Sequence, residues 1–314
     1  MFKQEKYLNL LTDYAFKRIF GSESCKDLLI DFLNEIVEDQ GQIINLKYLP
    51  TEQLGYRETD RKAIFDIYCQ TDCDKHFIVE LQKVRQSYFK ERSIFYSTFP
   101  IQSQSSKGKW NFRLNPVYTV AILDFVLFDE NDDGDHFYHS VSLVNNRTNK
   151  VFYDKLIYKY IELPKFNRTL GELSTNFERW IYLLKHLPTF ENRPPELQGK
   201  VFDKLFKYAE IEQLSQKEME NYRKSVLEYD DVQDAMEYAR ELAAEAGRQE
   251  GRKKGLEEGT LMGLEEGKRK GLEEGKKILQ SSVAKKCIQK GMTLEEIADL
   301  TGLTKQEVQS ISLQ

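Results

Sequence analysis

The sequence predicts an α/β protein with a strand-rich core in its first half, a helical region after it, and a long helical tail with periodic glycines. Three observations predict this. Between Ile64 and Gln82 two apolar runs of strand length flank the polar cluster Thr71-Asp72-Cys73-Asp74-Lys75, the pattern of a hairpin. Pro116 to Phe128 (PVYTVAILDFVLF) is a nearly continuous, β-branched apolar run, as in a strand buried on both faces. From Gly247 to Gly275 glycine recurs at every fourth position.

The elements follow in order. Leu8, Leu11, Ala15, Phe16, Ile19 and Phe20 have helical spacing and Gly21 is placed to end that helix. Asp13 and Lys17 then lie one turn apart on one face. A second helix spans Lys26 to about Val37, with Leu28, Leu29, Phe32, Leu33 and Ile36 as its apolar stripe. Ile43, Ile44, Leu46, Tyr48 and Leu49 suggest a first strand before Pro50, and the hairpin follows. Val84 to Phe99 reads as a helix whose end Pro100 disturbs. Its aromatics have spacings more typical of core packing than of base stacking. After the Pro116–Phe128 strand comes an acidic turn, Asp129 to Asp135, whose Gly134 is misplaced for an EF-hand loop. His136 to Leu143 and Lys150 to Leu163 alternate as strands joined around Asn145-Asn146-Arg147.

Beyond Pro164 the periodicity is helical, over Glu172–Leu187, Gly199–Leu214 and from Lys217 toward Ala246. The glycine row offers either a flexible charged linker or a helix whose flat groove admits a second backbone. Leu256, Leu264 and Leu272 recur every eight residues without a proline, which favours the associating helix and a homo-oligomer. Thr293-x-x-Glu296 and Thr304-x-x-Glu307 are capping boxes around Gly302. With Lys277 to Gln289 they outline a helix-turn-helix, but Lys305 is the one base of its last helix, which suits a packing module better than sequence reading. The organisation expected is 1–165, 166–245, 246–280 and 281–314.

A net charge of -5 excludes a protein coated in basic surface, so nucleic-acid contact must be local. Between Lys83 and Arg113 there are seven basic residues against Glu91 alone. The four cysteines, Cys25, Cys69, Cys73 and Cys287, form no paired framework, and Cys69-x-x-x-Cys73-x-x-His76 lacks a fourth zinc ligand. His186 is the only histidine beyond residue 165, giving little support to Ser-His or Cys-His catalysis. No leader-like segment follows Met1 and no apolar run approaches the ~18 residues of a membrane span, so a cytoplasmic location without a membrane partner is expected.

Two acids interrupt the hairpin's apolar runs. Asp66 and Glu80 are equidistant from Cys73, so a hairpin centred there sets them face to face, with Gln82 on the Glu80 face. Buried side by side, two carboxylates call for a cation between them. At a solvent-facing edge they need none, and the spacing alone allows both.

Leu11-Thr12-Asp13-Tyr14-Ala15-Phe16-Lys17, then Asp66, then Val79-Glu80-Leu81-Gln82, followed by Arg92 to Tyr96, resemble the PD-(D/E)XK nuclease superfamily, and more narrowly its Rpn family of recombination-promoting nucleases, also described as transposases. The resemblance covers roughly the first half of the chain. It implies a restriction-endonuclease-like mixed-sheet core and a Mg²⁺-dependent DNA endonuclease, with Mn²⁺ or Ca²⁺ as substitutes. Asp66, Glu80 and the Leu81 backbone carbonyl would hold the metal, which lowers the pKa of the attacking water and neutralises charge on the phosphate. Asp13 matches an acid that assists the site, and otherwise only starts its helix and pairs with Lys17. Gln82 stands where the superfamily usually has lysine and cannot accept the proton, so no general base is assigned; Lys17 or Lys83 would contribute charge. Lys83, Arg85, Arg92 and Tyr96 are the DNA-contact candidates. The alternative is a catalytically silent DNA-binding or scaffold protein that keeps the fold.

Overall fold

Thr12 decides where the first helix begins. Its hydroxyl donates to the Asn9 carbonyl at 2.7 Å and accepts from the Ala15 N–H, so helix α1 is Asp13–Phe20. Leu8 and Leu11, which the spacing assigns to the helix, precede it. Leu8 is in extended chain, where its N–H donates to the Ala209 carbonyl at 2.8 Å. The chain is seen here in a computed structural model that describes residues 5–37, 41–53, 62–105, 111–128 and 136–313. They fall into two compact units, Met1–Ala235 and Met236–Gln314.

In the first unit, α1 is followed by α2 (Lys26–Ile36), β1 (Leu46–Tyr48), β2 (Glu52–Gln53), β3 (Ala63–Ile64), β4 (Ile67–Thr71), β5 (His76–Gln82), α3 (Phe89–Ser103), β6 (Val117–Leu123), β7 (Tyr138–Asn145) and β8 (Lys150–Glu162). Six strands form a mixed sheet in the order β1-β4-β5-β6-β8-β7, parallel across β5-β6-β8 and antiparallel elsewhere, while β2 and β3 pair separately. The stretch beginning at Ile64 is therefore two strands and not one. Ala63 and Ile64 pair with β2, and Phe65 donates to the Thr51 carbonyl before the chain joins β5 at Ile67.

Burial on both faces makes β6 the continuous apolar run that it is: all seven of its residues are buried. One sheet face, with Ile67, Val79, Val120 and Ile161, packs against α1 and α2 and against α4 (Asn176–His186) and α5 (Lys200–Tyr208), with Trp180 at the centre of an aromatic group with Phe20, Phe32 and Phe202. The other face is covered by α3. Ser93 and Ser97 of α3 bond the hydroxyls of Tyr160 and Tyr158 at 2.7 and 2.8 Å. Against the expectation of a helix over Val84–Phe99, α3 starts five residues later and continues past the buried Pro100 to Ser103.

The helix expected from Lys217 toward Ala246, the helical glycine row and the helix over Lys277–Gln289 are one unbroken helix, α6, Gln216–Gln289. Its opening turns belong to the first unit and strap α1 to the end of β6. Glu218 pairs with Arg18, Tyr222 accepts from the Asn9 N–H at 2.9 Å, Ser225 accepts from the Tyr14 N–H at 3.1 Å, and Tyr229 donates to Asp124 at 3.0 Å. These positions recur at helical spacing on one face.

Within the second unit, α6 carries the glycine row together with one-turn ion pairs such as Lys254–Glu250 and Lys270–Glu266, both 2.8 Å. Each such pair contributes only about 0.2–0.5 kcal/mol. Helices α7 (Leu294–Thr301) and α8 (Lys305–Ser312) have both capping boxes, and Gly302 supplies the left-handed turn between them at φ 68°. Ala284, Cys287, Ile297 and Val308 form their small core, and Lys305 is paired with Glu295. No described helix is long and apolar enough to cross a membrane. The acidic turn at 129–135, and Lys107 and Lys109, lie outside the described residues.

Candidate active site

The hairpin register brings the two acids together. Ile67 pairs with Val79 and Gln70 with His76, so the next position down the ladder sets Asp66 against Glu80. Their contact is direct: the Asp66 N–H donates to Glu80 Oε1 at 3.3 Å, and the Leu81 N–H donates to Asp66 Oδ2 at 2.8 Å. Gln82, on the Glu80 face as alternation requires, donates its amide to Glu80 Oε2 at 3.3 Å.

These are not edge acids in open solvent. The Glu80 side chain is 5% exposed and that of Asp66 21%. Burial, then the Asp66 charge, pushes the Glu80 carboxyl up to about 8. Burial also raises Asp66, against the Leu81 N–H and Lys17, which favour its charged form. Two cations stand at ion-pair distance from the acids, Arg92 Nη2 3.8 Å from Glu80 Oε2 and Lys17 Nζ 3.7 Å from Asp66 Oδ1.

Lys17 is anchored by Asp13 at 2.7 Å, one helical turn away. Burial pulls Lys17 down, but Asp13 and Asp66 outweigh it and hold the ammonium above its ordinary value. Lys83 is lowered by burial against the attraction of Asp13, Glu228 and Asp66, and its ammonium lies 5.5 Å from the Tyr229 ring centre. Arg92 is fixed three ways: toward Glu80, by Gln86 Oε1 at 3.0 Å, and over the Tyr96 ring at 4.8 Å. Arg85 stands apart, lining a recess with Gln86, Ser87 and Lys90. Asp13, Lys17, Asp66, Leu81, Gln82, Lys83, Arg92 and Tyr96 thus form one neighbourhood.

A cleft of about 270 Å³ opens beside it, lined by Asp13, Leu81, Gln82 and Lys83 together with Phe16 and Val232. Two adjacent carboxylates, Glu80 buried and Asp66 partly so, whose pKa values stay raised despite the cations beside them, fit a hard divalent cation bound through oxygen. No cluster of three or more His, Cys, Asp or Glu side chains suited to a metal occurs among the described residues. The zinc pattern fails on geometry: Cys69 pairs across the ladder with Phe77 on the face opposite His76, whose ring bonds the Tyr68 hydroxyl at 2.9 Å.

Sequence reasoning missed Asp124, Tyr229 and Gln233. The Asp124 N–H extends the β5–β6 ladder by donating to the Gln82 carbonyl at 2.9 Å, and its carboxylate accepts from Tyr229 and Gln233, both at 3.0 Å. The lone acid within the β6 apolar run was a signal for Asp124. Nothing local marks Tyr229, which lies more than a hundred residues further along.

A family profile described as PD-(D/E)XK nuclease family transposase matches residues 10–239, nearly all of the first unit. No curated protein and no solved structure matches the chain. With the acid pair on neighbouring strands of a mixed α/β sheet and a match over most of its length, the chain belongs to the PD-(D/E)XK nuclease family transposases.

Proposed function

We propose that the protein is a DNA endonuclease dependent on a divalent metal, Mg²⁺ in the first instance with Mn²⁺ or Ca²⁺ as substitutes, acting in DNA recombination or on mobile elements. The observation that carries the reading is the contact between Asp66 and Glu80, whose carboxyls burial keeps raised even with Arg92 and Lys17 at ion-pair distance. The two carboxylates would hold Mg²⁺, which when bound would make water more acidic and neutralise charge on the phosphate. The N–H and C=O of a strand residue share an edge, so the N–H that Leu81 gives to Asp66 argues that its carbonyl also faces the site.

The remaining residues position substrate. Lys17, kept charged by Asp13, supplies beside Asp66 the cation that Gln82 cannot. Gln82 steadies Glu80 through its amide and keeps its carbonyl for a water. Arg92, stacked on Tyr96, offers its fork to a phosphate oxygen, and Lys83 and Arg85 extend that contact along the backbone. In the tail, an added Cβ at any glycine of the row would meet nothing, and Leu256, Leu264 and Leu272 are exposed beside it. That supports a second copy of this helix as its neighbour.

Supercoiled-plasmid cleavage tests the reading, with Mg²⁺ or EDTA and with Asp66→Ala and Glu80→Ala alongside. Nicking that requires the metal and both acids is expected. If wild type and variants are equally inactive yet still bind DNA, the nuclease reading gives way to a DNA-binding scaffold.

A further inference from the structure

The aromatics of α3 divide into two sets. Phe89 is buried against Phe125 and Tyr160, as helical core packing requires. Tyr88 and Phe95 do the reverse, lying 75% and 42% exposed, with Ile94 at 54%. Tyr88 is the N-cap of α3, its carbonyl accepting from the Arg92 N–H at 2.9 Å, and Phe95 follows Arg92 by about one turn, so the three follow one another along the start of the helix. This stretch is continuous with the acid pair, because Arg92 contacts both Glu80 and the Tyr96 ring, and Tyr96 lies against Phe95 with ring centres 6.4 Å apart.

We propose that this stretch of α3 is a stacking platform for the unpaired bases of single-stranded DNA, whose backbone continues into the Asp66–Glu80 site. The inference rests on the nuclease reading and narrows its substrate to DNA with an unpaired stretch: a single strand, a frayed end or a flap. Charge selects the occupant. From Lys83 to Ser105 the chain carries Lys83, Arg85, Lys90 and Arg92 against Glu91 alone, so a rim that attracts phosphates borders exposed rings that attract base faces. A duplex keeps its base faces stacked inside and offers the rings nothing but its backbone. Stacking on Tyr88 and Phe95 is indifferent to which base arrives, so the platform confers a preference for strandedness and not for sequence.

The test is fluorescence anisotropy on the full-length protein in EDTA, where binding is read without cleavage. The probes are a labelled oligothymidylate, a duplex of equal length, an abasic strand with the same phosphates, and the matching RNA. Tyr88→Ala and Phe95→Ala should each weaken oligothymidylate binding by about 5- to 150-fold, while duplex and abasic-strand binding stay at the wild-type level. Tyr88→Trp, which keeps a ring, should bind like wild type. Equal losses on all probes, no loss on oligothymidylate, or a preference for the RNA would overturn the proposal. Plasmid nicking in Mg²⁺ by the same preparations reports separately on the nuclease reading, so failure of either leaves the other readable.

Discussion

Replacing Glu80 with glutamine removes a titration as well as a metal ligand, and pH separates the two effects. With its carboxyl pushed from 4.5 up to about 8 by burial and Asp66, folded Glu80 keeps a proton that the unfolded chain has already released. Stability changes with pH according to the protons bound unfolded minus those bound folded, which here is negative, so it falls as pH rises through that window. Asp66, also raised, acts in the same direction. At ~1.4 kcal/mol per pH unit, three units amount to about 4 kcal/mol, or about 8–16 °C in unfolding temperature for a unit of this size. Glu80→Gln preserves shape and cannot ionise. Thermal unfolding in EDTA should therefore give curves that converge near pH 5 and diverge upward, with the inactive variant the more stable protein at pH 8. Adding Mg²⁺ at 100 times its Kd should return about 2.7 kcal/mol to wild type and little to the variant. Parallel wild-type and variant curves from pH 5 to 9 would refute the argument that these acids are held at a cost.

Arg92→Ala should lower nicking and, by depriving Glu80 of its cation, move the acid limb of the pH–rate profile to higher pH; an unmoved limb would show that Arg92 does not act on Glu80. Tyr229→Phe deletes a hydrogen bond to a carboxylate and should cost about 1.5 kcal/mol, the low end for a charged acceptor because Gln233 remains, as measured by urea unfolding. Glu162→Ala takes the carboxylate from buried Lys165, which keeps only the Phe128 carbonyl, and strands the Leu127 and Phe128 N–H groups, for which a loss of about 3–5 kcal/mol is expected in the same assay. Alanine at Gly259, Gly263 and Gly267 should raise helix propensity by about 1 kcal/mol each yet lower the sedimenting mass; a mass unchanged by substitution would remove the glycine row from any association.

The site's central contact was legible because a hairpin is local. Two residues equidistant from a turn must meet, and Asp66 and Glu80 do. The Asp13–Lys17 pair was legible for the same reason, one turn of helix being enough. Boundaries set by tertiary partners were not. Nothing near Ile64 says that it leaves the sheet for β2, and nothing near Pro100 says that α3 continues past it. The strap of α6 over Asp124 was invisible because its spacing is that of any amphipathic helix and its partner is distant in sequence. Spacing also failed for the α3 aromatics, since periodicity cannot tell which of two faces meets the sheet.

The locality of the acid pair also bears on how the molecule assembles. Asp66 and Glu80 are fourteen residues apart, and hairpins of this kind close in about 1–10 μs. Of the cations that moderate their repulsion, Arg92 follows soon after Glu80 in the chain, but Lys17 comes from α1 over a longer loop. A nascent chain thus meets the electrostatic obstacle before all of its relief is in place. A proton shared across the open hairpin lowers that obstacle, so refolding should speed up toward mildly acidic conditions, even as the finished site needs both carboxylates bare to hold a metal.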